Sequence, residues 1–157
     1  MPLKRSDELQ PLSRQHHNGL LFCLLLQKGI KKQADLEVMR DVIQDFWYKD
    51  LQHHFELEEL YLDPFKKRYH QLETLLDRML KEHYDLKNII NEISLNPTYN
   101  SIDELRQKLD GHVRFEEREL FPLIEETIST EERQMIGKIL EKERDDNCMN
   151  YSTKFWE

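Results

Sequence analysis

A chain of 157 residues is most simply a single domain, long enough to bury one proper core. With 34% charged residues, 38% hydrophobic ones and only 4 Gly and 5 Pro, the composition is helix-rich and short of turn formers. A formal charge of -8 sets the chain against nucleic acid or an anionic membrane as a partner.

The opening "MPLKRSDELQ" has no apolar core segment, so no secretory leader is read there. A first helix is expected from about Ser13 to Lys28, with Gly29 placed to end it. Its apolar run, Leu20 to Leu26, falls far short of the roughly 20 residues a bilayer crossing needs and reads as a buried segment of a soluble protein. The second helix runs from Asp35, a plausible cap, to about Leu62, where Asp63-Pro64 stops it. The third spans about Phe65 to Leu95 on a stripe that includes Leu72, Leu76, Met79, Leu86, Ile90 and Ile93. The fourth opens on a capping box of Ser101 with Glu104 and continues to about Leu120, where Pro122 breaks or kinks it. A shorter fifth helix follows from Ser129, with Glu132 completing another capping box, through Leu140. In the tail "NCMNYSTKFWE", Phe155 and Trp156 are expected to dock.

The expected fold is all-α: an up-down-up-down antiparallel four-helix bundle with a short extra C-terminal helix. It forms one domain over 1–157, with the bundle at about 12–126 and the last helix and tail at 127–157. Two cysteines, Cys23 and Cys148, make no disulfide framework, and a reducing cytoplasm is the simpler setting.

One stretch is written twice. Aligning "HHFELEELYLDP" with "GHVRFEERELFP" sets His54 on His112, Glu58 and Glu59 on Glu116 and Glu117, and Pro64 on Pro122. A glutamate four residues after a histidine lies on the same helix face, about 6 Å along the axis. These faces are apolar: His112 follows Leu105 and Leu109, and His83 fills a gap in the stripe of the third helix. An unpaired carboxylate in such a setting is costly, and buried charges persist when paired or bound to metal. A single histidine on an apolar face is usually a hydrogen-bonded core residue. Here, however, every one of the four helices carries a histidine, and two of these precede a glutamate by one turn. Imidazole with carboxylate and no thiolate suits iron, manganese, copper or zinc. Two carboxylates from different helices suit bridging between two ions. Glu-x-x-His, the order used by ferritin-like sites, is absent before His16, His54, His83 and His112.

Histidine followed by glutamate one turn later is the order of hemerythrin-like proteins. The segments "SRQHHNGLL", "HHFELEELY", "KEHYDL" and "GHVRFEERELFP" together resemble that family in its HHE cation-binding form, over about residues 12 to 126. The resemblance implies a non-haem pair of iron ions with an oxo or hydroxo bridge, Mn or Zn being possible replacements. The implied ligands are His16, His54, Glu58, His83, His112 and Glu116. On the first helix, Arg14-Gln15-His16 aligned with Lys81-Glu82-His83 selects His16, whereas Leu20 and Leu24 favour His17. Oxygen-carrying relatives place the second bridging acid five residues after the histidine, which selects Glu117; the internal repeat selects Glu116. Those carriers also use a second histidine on the third helix. Here Met79 and Lys87 flank His83 by one turn, and His70 is roughly 20 Å away along a helix. The site therefore keeps a position for water or a small ligand.

The function expected is binding or sensing of O2 or another small diatomic or peroxide ligand, or handling of iron. The alternatives are an enzyme reducing peroxide or nitric oxide, and a metal-free helical interaction module; no catalytic residue beyond the ligands announces itself, and no protein partner is identified. Trp47, Tyr48, Phe55, Phe115 and Phe121 read as core or as pocket walls, Tyr61 as a helix-end residue and Cys23 as core. His53, Glu82, Lys87 and the acidic run from Glu116 to Glu126, apart from its one inward carboxylate, read as mainly solvated.

Overall fold

The computed structural model describes residues 5–143 and 154–157, and every regular element among them is helical. α1 (Gln10–Lys31) runs past Gly29, because Gln33 rather than that glycine takes the left-handed conformation (φ 55°) that closes the helix. Gly29 serves packing instead. A Cβ there would lie 2.6 Å from the Phe155 ring and 2.8 Å from Met39 Cε, so the bare backbone lets the end of the chain dock. Phe155 is buried and Trp156 packs partly buried beside the core, as expected of the tail; Cys148 and the rest of 147–153 lie outside the described residues. The apolar run of α1 is split between two faces. Phe22, Cys23, Leu25 and Leu26 are buried, while Leu21 and Leu24 are exposed.

The second rod joins α2 (Leu36–Phe46), a π-helical turn (Trp47–Leu51) and α3 (Gln52–Tyr61), and Asp35 caps it by accepting from Val38 N–H at 3.0 Å. Beyond Leu62 the chain departs from expectation. Two short 3-10 turns, Asp63–Lys67 and His70–Leu72, precede α4 (Glu73–Leu95). The stretch Lys66-Lys67-Arg68-Tyr69-His70 has no apolar stripe to bury. Phe65 and Leu72 on either side of it are buried, Tyr69 packs against the core only in part, and Arg68 and Tyr69 both engage Glu132.

α5 (Tyr99–Phe115) begins three residues before the expected capping box, because Thr98 and Ser101 form the box. Pro122 does not end this rod. A second π-helical turn (Glu116–Leu120) leads into α6 (Phe121–Thr127), with Pro122 in its first turn. In the wide turn Phe121 N–H bonds back to Glu116 O; the next bond in that register would come from residue 122, which as proline has no N–H. The Arg5 guanidinium donates to the Glu117 carbonyl in its place, at 2.6 Å. α7 (Thr130–Leu140) starts at the expected Ser129–Glu132 box. No helix among the described residues is long and apolar enough to cross a membrane.

The core falls into two apolar clusters. One gathers Phe22, Leu26, Phe55, Leu86, Ile90 and Leu109; the other gathers Leu12, Leu57, Leu76, Met79, Phe115 and Phe121. On α1, α4 and α5 the change of cluster falls at a histidine: His16 between Leu12 and Phe22, His83 between Met79 and Leu86, His112 between Leu109 and Phe115. Phe22, fully buried and stacked on Phe46 at 4.0 Å between ring centres, anchors the first cluster. Phe22→Ala is expected to cost about 3–5 kcal/mol through lost burial and a cavity, read as a fall in the urea midpoint.

Candidate metal centre

Between the clusters lies a layer of six buried polar side chains: His16 from α1, His54 and Glu58 from α3, His83 from α4, and His112 with Glu116 at the end of α5. Both glutamates have no exposed surface. All four imidazoles aim Nε2 at these carboxylates. His16 Nε2 is 2.9 Å from Glu116 Oε1 and 3.5 Å from Glu58 Oε2, and His83 Nε2 is 3.1 Å from Glu58 Oε1. His54 and His112 reach the glutamate one turn ahead, each at 3.2 Å. Ligand atoms within 4.8 Å of one another form two quartets, His16-His54-Glu58-Glu116 and Glu58-His83-His112-Glu116. Both carboxylates belong to both quartets.

His17 is exposed on α1 and takes no part. Glu117 belongs to neither quartet but accepts from His16 Nδ1 at 2.8 Å. It is one of four acceptors that fix the ring nitrogens pointing away from the centre. Gln15 Oε1 accepts from His54 Nδ1 at 2.6 Å, Glu59 from His83 at 3.1 Å and Glu82 from His112 at 2.7 Å. A proton held on Nδ1 by such an acceptor leaves the Nε2 lone pair for a cation, and it fixes the ring plane. Gln15, Glu59 and Glu82 were not legible as such in the sequence. Glu82, expected to be solvated, and Glu117, expected either to be solvated in the acidic run or to be the alternative ligand, are half-buried and engaged. The available signal was adjacency: each acceptor sits next to a centre residue in the chain.

Aromatic rings close the layer. Phe55 stacks on His83 at 3.9 Å and Phe121 on His16 at 5.2 Å, while Phe115 lies 6.5 Å from His112. Trp47 meets Phe55 edge-on, whereas Tyr48 is exposed and serves neither core nor pocket. A cavity of about 90 Å³ reaches His16, His54 and His112 past Phe46, Leu51 and Val113. Outside the layer, His53 is exposed and bonds Glu143 at 2.7 Å, and burial pushes the Cys23 thiol up to about 12, far from a reactive thiolate.

Four buried atoms decide whether a metal pair fits. His54 Nε2, His112 Nε2, Glu58 Oε2 and Glu116 Oε2 form no hydrogen bond, although each of the two imidazole nitrogens lies 3.2 Å from the carboxylate one turn ahead. Groups left so inside a protein cost about 1–3 kcal/mol each, and coordination to cations satisfies all four together. The donor set, imidazole and carboxylate, is that of first-row transition metals.

Without a metal, protons take the part of the cations. Burial works to lower the His112 pKa, but Glu116 and Glu82 outweigh it and hold it up at about 9. His16 is raised in the same way by Glu116, Glu117 and Glu58 against the pull of burial. Burial would lift the Glu58 carboxyl, yet His54, His16 and His83 keep it well below its ordinary range.

Fold and site together define an all-helical protein with a buried histidine–carboxylate centre. The chain belongs to the hemerythrin family: the family model of the hemerythrin HHE cation binding domain matches residues 8–124. No curated protein and no solved structure matches it.

The raised imidazole of His112 gives a signed expectation for the chelator-stripped protein. A folded-state pKa of about 9, above the unfolded 6.5, adds stability that is full below pH 6.5 and is lost as pH climbs through 9. The urea midpoint should therefore fall between pH 7 and 9.5, and a flat or rising midpoint would contradict the charge state described.

Proposed function

We propose that this chain is a non-haem di-iron protein that binds or senses a small ligand, O2 or another diatomic or peroxide, or takes up and releases iron. The supporting observation is the pair of buried quartets sharing both carboxylates. His16 and His54 would hold one ion, His83 and His112 the other, and Glu58 and Glu116 would bridge them. The rods are read as up-down-up-down antiparallel within one domain: the order of the two apolar clusters along the chain reverses from α1 to α3, again at α4 and again at α5. Manganese or zinc would be accepted by the same atoms.

When bound, such an ion pair supplies Lewis acidity and one-electron chemistry to a small ligand. The chain's own residues do the rest. Four imidazoles held at Nδ1 present fixed lone pairs, and two carboxylates balance charge. Phe55, Phe115 and Phe121 restrict water around the layer. Met79, buried in the turn before His83, and Lys87 in the turn after it offer no imidazole, which keeps the protein's contribution to four histidines. The cavity beside His16 and His54 is of a size for a diatomic molecule or a few waters. With a cavity of that size beside the layer, binding of a small molecule is favoured over a dedicated catalytic role. Its use of cysteine suits a reducing cytoplasm.

Elemental analysis after anaerobic Fe(II) loading and desalting should give about two iron ions per chain. His54→Ala and His112→Ala should each lower that content, and the melting temperature of the loaded wild type should exceed that of the stripped protein. A wild-type protein that retains no iron, and melts identically with and without it, would exclude the di-iron reading.

A further inference from the structure

The four Nδ1 acceptors form a closed circuit around the layer. Gln15 on α1 holds His54 on α3, Glu59 on α3 holds His83 on α4, Glu82 on α4 holds His112 on α5, and Glu117 beyond α5 returns to His16 on α1. Every rod gives one acceptor and receives one. The acceptors occupy equivalent places in the sequence: Gln15 and Glu82 directly precede His16 and His83, and Glu59 and Glu117 directly follow Glu58 and Glu116. The circuit is therefore twofold in pattern, with one discrepancy. Three members are carboxylates, and the fourth, Gln15, is a neutral amide.

The discrepancy falls entirely on one quartet. The imidazoles of the His83–His112 half are both backed by carboxylates, Glu59 and Glu82. In the His16–His54 half only His16 is so backed, by Glu117. That carboxylate is further discounted, because the Arg5 guanidinium lies 3.6 Å from it and is itself buried. The cations near the other pair, Lys87 at 3.8 Å from Glu59 and Arg78 at 2.8 Å from Glu82, have side chains 41% and 48% exposed. Solvent screens them far more than it screens Arg5. A carboxylate acceptor makes an imidazole a more basic ligand than an amide acceptor does, and such partners typically change metal affinity by about 10–100-fold.

We propose that the two halves of the centre are unequal by construction: the His83–His112 half binds a divalent transition-metal cation first and more tightly, and the His16–His54 half, backed by Gln15, holds the exchangeable cation. Gln15 and Glu82 are positioning residues that set this order. The inference rests on the two-metal reading above. It makes the chain a protein that keeps one ion while gaining and losing the other.

Titration of the chelator-stripped full chain with Co(II), followed by visible absorption and calorimetry, tests the order. Wild type should bind one equivalent and then a second, with dissociation constants at least about tenfold apart. Gln15→Glu should tighten the second step about tenfold and leave the first unchanged. Glu82→Gln should weaken the first step by about 10–100-fold. His54→Ala should abolish the second step alone. Circular dichroism of each stripped variant checks the fold independently of metal. Two equal equivalents, or one step of two, in wild type would overturn the inequality while leaving the two-metal reading standing. Action of Gln15→Glu on the first step, or loss of the first step in His54→Ala, would overturn the assignment of halves. No bound Co(II) at all would count against the two-metal reading itself.

Discussion

Two carboxylates placed between two apolar clusters are the constraint from which the rest of this molecule follows. Glu58 and Glu116 have no solvent contact, and isolated ionised carboxylates in such a position are not tolerated in a protein interior. Every neighbouring choice answers to them. Four imidazoles are brought within reach, one from each rod, and each ring is turned by an acceptor at its far nitrogen so that the near nitrogen faces inward. Without metal the carboxylates hold His16, His83 and His112 above the usual imidazole range, although burial alone would do the opposite. Proton and cation are thus alternatives for one set of lone pairs, and metal binding must release protons.

The polar layer also shapes the bundle around it. Helix packing alone would favour a continuous apolar stripe. Here each stripe is interrupted at one height, and the interruption is covered by rings, with Phe55 over His83 and Phe121 over His16. These aromatics pack against the imidazoles themselves, so the hydrophobic core and the centre share walls. The Arg5 guanidinium extends the same logic outward. It joins the Glu117 carbonyl and the Glu125 carboxylate, and lies 5.4 Å from the centre of the Phe121 ring, tying the start of the chain to the wall behind His16.

Much of this was legible in the sequence, and the reasons for the rest are physical. Long stripes at helical spacing identify the rods because burial of one face dominates helix stability in proteins. The repeated His-x-x-x-Glu spacing placed His54, Glu58, His112 and Glu116 on inward faces because i and i+4 share a face. Less legible were the boundaries. Gly29 was read as a stop, but Gln33 took that role, since a tertiary contact with Phe155 needed the bare glycine backbone more than the helix end did. The expected helix start at Phe65 failed because charge without an apolar stripe cannot hold a segment on the core, and chain-local signals alone do not reveal where Arg68 and Tyr69 find partners. Gln15, Glu59 and Glu82 escaped notice because long polar side chains on a helix are usually solvated. Only three-dimensional placement shows that each leans towards the neighbouring rod.

The wide turn at Glu116–Leu120 has one more implication, for how this segment tolerates change in length. A turn whose bonds reach back five residues carries one residue more than the regular ladder would, and the extra residue is absorbed within the turn itself. Excising one residue there would leave Phe121 N–H bonded to Glu116 O at ordinary helical spacing and keep Phe121 on the imidazole of His16, whereas excision from the regular turns of α5 would swing everything downstream by about 100°. This wide turn is therefore the place within the rod where a one-residue difference in length among kindred chains is most readily absorbed.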